Sequence, residues 1–155
     1  MRRFTLCSTV AMVAFAGAIA LAQAPAKIAT LADHAALMKS NAQANGAMGK
    51  ALGSGAFADA RTQLTTLRTN LTTLRTFWME KKNVAASADA VKIINDGLGR
   101  AEALDKLLAA PAPDQMAAQA AAKEMGGNTC GACHKMMRDG DATAGFSFRA
   151  GTSPF

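Results

Sequence analysis

Apolar positions in this chain recur at helical rather than strand spacing. From Lys27 to Leu52, Ile28, Leu31, Ala35, Met38, Ala42, Gly49 and Leu52 follow steps of three, four or seven residues, which draws one stripe along a helix. Gly53-Ser54-Gly55 then breaks it. A second stripe, Phe57, Ala60, Leu64, Leu67, Leu71, Leu74 and Trp78, keeps the three-four alternation without a gap. Within it Leu64-Thr65-Thr66-Leu67-Arg68-Thr69 recurs seven residues later as Leu71-Thr72-Thr73-Leu74-Arg75-Thr76. A seven-residue repeat keeps its seam facing neighbours packed at a shallow angle. The threonines lower intrinsic helix propensity, so tertiary packing is expected to supply this helix's stability.

Lys81-Lys82-Asn83 marks the next connection, and Ser87 or Asp89 is the expected cap of a third helix. Its buried face is predicted as Val91, Ile94, Leu98, Ala101, Leu104 and Leu108, and Pro111-Ala112-Pro113 ends it. Asp114 opens a fourth helix that runs to about Arg138, and the sequence from Asp139 onward reads as an irregular tail. Four helices joined by short connections are most economically an all-α, antiparallel up-down-up-down four-helix bundle. Composition agrees. Half of the 155 residues are hydrophobic, aromatics make up 5%, and tyrosine is absent, which is poor material for a β-sandwich or barrel. With 18% charged residues the chain is not of the disordered class.

Residues 1–22 read as a signal peptide: Arg2 and Arg3, an apolar run from Val10 to Leu21, and Ala20-Leu21-Ala22 as the small-x-small box before Gln23. The run is too short to span a bilayer comfortably. Residues 23–138 are then the helical domain and 139–155 its tail. Cleavage removes two arginines and Cys7, leaving 15 basic against 11 acidic residues, net +4, with Cys130 and Cys133 as the remaining cysteines. A periplasmic location follows as the expectation.

Cys130-Gly131-Ala132-Cys133-His134 carries the chemistry. Cys-x-x-Cys-His is the attachment pattern for c-type haem: two thiols form thioethers with the haem vinyl groups and the histidine supplies an imidazole to iron. On a helix the three residues share a face, and Gly131 and Ala132 allow close approach to the backbone. Two other readings compete. A Cys-x-x-Cys pair can be a disulfide or a thiol-disulfide centre, which usually sits at a helix N-terminus near a βαβ unit. Zinc would need further ligands, and His34 is the other histidine.

With four predicted helices and this motif near the end of the last, the mature chain resembles the cytochrome c′-type proteins, the class II cytochromes c. The resemblance implies one covalent haem c per chain, with His134 as a ligand of its iron. It also implies that the first helix covers the opposite haem face, where many members carry Arg-x-x-x-Met or Arg-x-x-x-Leu. Here the stretch reads His34-Ala35-Ala36-Leu37-Met38, so Met38 falls on the ligand position and His34 replaces the arginine. Methionine opposite histidine gives a low-spin electron carrier of raised potential. Met38 as core filler, and His34 as ligand, propionate partner or exposed residue, remain open. Without the family's arginine, Lys39, Lys50, Arg61, Arg68 and Arg75 are the cations available for propionates. Arg138, four residues after His134, is implied near the proximal side or a propionate, with a water-facing helix end as the alternative. Dimerisation through the first two helices is also implied by resemblance alone.

Trp78, Met116, Met125, Met136 and Met137 are expected as packing residues, Met137 on the haem side. A sequence pI near 9.6 suggests nucleic acid, but the basic residues are scattered and lack interleaved aromatics. No acid, base and nucleophile cluster emerges, so the expected role is not enzymatic. The leading expectation is a periplasmic c-type cytochrome that carries single electrons between redox partner proteins. A five-coordinate haem protein binding NO or CO is the alternative, and a haem-free dithiol protein the third.

Overall fold

In the computed structural model the described residues are 26–141 and 145–155, and the predicted signal segment lies outside them. Helices α1 (Leu31–Gly53), α2 (Phe57–Glu80), α3 (Ser87–Leu108) and α4 (Gln115–Met125) follow in order. The fourth continues through a π-helical segment, Gly126–Gly131, into a short α5, Ala132–Met137. The chain is mostly helical, as the periodicity predicts. α1 packs against α2 and α4, and α3 against α2, α4 and the π segment.

The helix ends follow local chemistry. Thr30 and Asp33 form a reciprocal capping box at the start of α1, with Thr30 Oγ1 accepting from the Asp33 amide at 3.1 Å. At the other end, Gln115 Nε2 donates to the carbonyls of Leu52 and Gly53 at 2.7 and 3.0 Å, so α4 satisfies orphan acceptors of α1. Asp114 caps α4 as expected, accepting from the Ala117 amide. Neither Ser87 nor Asp89 caps α3. Its N-cap is Ala86, and the Ser87 hydroxyl donates instead to the Trp78 carbonyl, tying the end of α2 to the start of α3. Along α2, the hydroxyls of Thr62, Thr65, Thr66, Thr69, Thr72 and Thr76 each donate to the carbonyl four residues back.

The α2 seam is buried as predicted from Ala60 to Trp78, with Phe57 half-buried. The α1 stripe is corrected. Its buried residues are Leu37, Ser40, Asn41, Ala44, Met48 and Leu52, while Leu31 is 57% exposed and Ala35, Ala42 and Gly49 face solvent. The seam passes through a serine and an asparagine because Asn70 of α2 donates to both, to Ser40 Oγ at 3.0 Å and Asn41 Oδ1 at 2.9 Å. A stripe built from apolar residues alone cannot include them. Met116 is corrected as well. It is 81% exposed, because the packed side of α4 runs through Ala118, Ala122 and Met125.

The core forms two apolar clusters. One unites Ala44, Met48, Leu52, Ala60, Leu64, Leu67, Ala101, Leu104, Leu108, Ala118, Ala122 and Met125. The other gathers Ile28, Leu37, Leu71, Leu74, Phe77, Trp78, Ala86, Ala90, Ile94 and Met137, with Met38, Val91, Leu98, Met136 and Phe148 half-buried against it. Between the two, each helix contributes a polar or very small buried residue: Ser40 and Asn41, Asn70, Gly97, and Thr129.

The expected irregular tail is also corrected. Arg138–Asp141 and Gly145–Phe148 pair as a two-stranded antiparallel sheet, Arg138 opposite Phe148 and Gly140 opposite Phe146. Gly140, at φ +87, lies so close to the Gly145 carbonyl that a Cβ could not fit, so two glycines make this pairing feasible in a stretch with little strand propensity.

Candidate functional site

Cys130, Cys133 and His134 lie on successive turns at the junction of the π segment and α5. All three are half-buried, as are Ala132 and Met136, while Gly131 and Lys135 are exposed. The fourth helical column is not uniformly α-helical, however. A π segment closes i→i+5 rings and so shifts the phase of everything after it, and this one ends one residue past Cys130. Its placement is fixed by packing. Thr129 is 2% exposed against Gly97 of α3, where a Cβ would fall 2.6 Å from Thr129 Oγ1. That hydroxyl has no hydrogen-bond partner. The close approach of α3 therefore holds the residue immediately before Cys130.

The two cysteines are free thiols. Burial raises the Cys130 pKa, and burial together with neighbouring Cys130 pushes Cys133 up to about 11. Both therefore remain protonated at neutral pH. Burial, then the positive charge of Arg138, holds His134 below the usual imidazole range, so its ring is neutral and able to donate a lone pair. His34 of α1 is likewise held low, first by burial and then by His134. The two histidines, 100 residues apart in sequence, are thus electrostatic neighbours.

His34 sits among aromatic rings, with centroids 6.1 Å from Phe77, 5.3 Å from Phe148 and 6.0 Å from Phe155. Met38, one turn further along α1, packs half-buried against the cluster that contains Met137 and is flanked by Met136. Trp78 is a core residue, 2% exposed and edge-on to Phe77 at 5.5 Å. Arg138 lies beyond the helix end rather than on its face. It opens the first strand, and its guanidinium stands 3.7 Å over the Phe146 ring.

Sequence reasoning misses Phe148 and Phe155, because nothing in Gly-Phe-Ser-Phe or Ser-Pro-Phe carries a helical period. The available signal is aromatic residues recurring in a segment otherwise read as loop. Among the described residues no three His, Cys, Asp or Glu side chains converge as a metal-ion cage. Two open surface clefts, one beside Lys50 and Asp59 and one beside Lys27 and Thr72, are lined by none of the motif residues. No family model, curated protein or solved structure matches this chain.

Proposed function

We propose that this chain is an exported c-type cytochrome that carries single electrons, its helices arranged as an antiparallel up-down-up-down bundle. The observation that carries the reading is the donor set at the π–α5 junction: Cys130 and Cys133, half-buried and three residues apart on a helical segment, followed directly by half-buried His134. This set fits a haem better than it fits the dithiol alternative. A thiol-disulfide centre needs a depressed thiol pKa and usually takes it from a helix N-terminus. Here both thiols are raised, and Cys130 follows 15 residues of uninterrupted helix. The absence of a third or fourth convergent ligand among the described residues likewise weighs against zinc.

Cys130 and Cys133 would hold the haem through thioethers, and His134 would ligate its iron. When bound, the group supplies a reversible one-electron couple. The chain's own residues then set the surroundings. Met38 would supply a second protein ligand, and it shares its apolar cluster with Met136, Met137, Val91 and Leu98. Arg138, close enough to act on His134, supplies a positive charge on that side. Periplasmic location and a redox protein as partner complete the proposal.

The test is an absorption spectrum of the purified exported protein, oxidised, then reduced, then exposed to CO. Sharp reduced bands without a CO response support electron transfer with a capped iron. Broad bands that shift with CO move the reading to NO or CO binding. A colourless protein, made alongside haem-attachment machinery, overturns both.

A further inference from the structure

We infer that residues 145–155 are a wall of the candidate haem site, with Phe148 and Phe155 clamping His34 and deciding which small ligands enter between α1 and His134. The inference rests on the haem reading above, and it gives a role to a segment that the sequence leaves as tail.

The segment is fastened to the helix that carries the motif. The Met137 carbonyl, at the C-terminal end of α5, accepts from the Arg149 amide at 2.8 Å and from Thr152 Oγ1 at 3.1 Å. Arg149 Nε also pairs with Asp139 Oδ1 at 3.0 Å. The chain then turns back over the site: Pro154 is buried, and Phe155 stacks on Phe77 with centroids 5.4 Å apart and planes at 29°. Phe148, half-buried in the same cluster as Met38 and Met136, stands 6.1 Å from Phe155. Lys81 lies over the Phe77 and Phe155 rings, at 4.9 and 5.6 Å, and fastens the outer edge by cation–π attraction. Half-buried His34 is thereby flanked by three rings, one from α2 and two from this segment, with Phe155 the outermost at 47% exposed, while His134 acts on it from α5. A ligand approaching from the α1 side must displace these rings, so the segment sets access.

The experiment compares the full exported chain with the Phe148→Ala/Phe155→Ala double variant and with Phe155→Leu, which keeps an apolar side chain. Imidazole entry into the oxidised protein and CO entry into the reduced protein are timed by absorbance. Both are repeated in a Met38→Ala background, so that departure of the Met38 side chain does not set the rate. Acylation of His34 by diethylpyrocarbonate, followed by peptide mass, reads the clamp independently of haem. The double variant is expected to speed ligand entry and His34 acylation by about tenfold or more, with Phe155→Leu close to the parent. A red double variant with parental helicity and unchanged ligand entry, or unchanged His34 acylation, overturns the wall. A colourless parent overturns the haem reading instead, so the two failures are distinct.

Discussion

The two ends of the molecule are built from the same four helices but in different materials. One end is closed with alanine, leucine and methionine, with three half-buried residues, Ala51, Phe57 and Ala121, packed against it. The other is aromatic and methionine-rich, is fringed by six half-buried apolar residues, and borders the Cys-x-x-Cys-His motif. The polar layer of Ser40, Asn41, Asn70 and Thr129 divides them. The second end keeps the larger half-buried apolar fringe, six residues against three, and it lies beside the Cys-x-x-Cys-His motif.

The sharpest way to break this comparison is truncation on each side of the layer. Leu104→Ala, fully buried at the closed end, is expected to cost about 2–5 kcal/mol in urea unfolding. Met38→Ala, half-buried at the motif end, should cost about 1 kcal/mol or less yet alter the visible spectrum of the haem-loaded protein. Equal stability losses would erase the distinction.

The layer itself comes next. Gly97→Ala forces a methyl into Thr129 and is expected to cost about 1–3 kcal/mol by overpacking. Combining it with Thr129→Ala should recover part of that loss, a non-additivity read from a double-mutant cycle. Asn70→Ala leaves Ser40 and Asn41 without their shared donor, and about 1–3 kcal/mol is expected by the same measurement.

The smallest effect lies at the closed end's surface. Hydrogen bonding to Arg61 holds the Asp105 carboxyl below its usual range. A depressed carboxyl contributes stability that is complete above its unfolded pKa and disappears as pH falls through the lower folded value. Asp105→Asn should therefore show its small loss of stability at pH 7, where the contribution is complete, and converge on the parent below about pH 4, and added salt should shrink the pH 7 difference.

Much of the fold is legible in the sequence because periodicity and punctuation agree. The α2 seam, the glycine break after α1, the proline break after α3 and the Asp114 cap all follow from single-residue chemistry. The α1 seam is not legible, because burying Asn41 depends on Asn70 being opposite it, and pairing across helices leaves no mark within one helix. The π segment escapes for a related reason. Gly126-Gly127-Asn128-Thr129 has no special period, and it takes Thr129 meeting Gly97 to set the phase. Cys130, Cys133 and His134 stand out in the sequence because their spacing alone marks them as a motif. His34 is weighed in sequence as one residue with several roles, and three phenylalanines decide its surroundings.

The threonine ladder of α2 has a consequence for how the chain is made. Six hydroxyls bonded back onto their own helix satisfy themselves, but threonine remains a weak helix former, and the same hydroxyls favour turns in a chain not yet folded. α2 is also the helix that both α1 and α3 pack against, so its order and theirs arise together. A central helix of weak intrinsic propensity is expected to gain its order as its neighbours pack, so the bundle assembles around α2 rather than upon a helix already made.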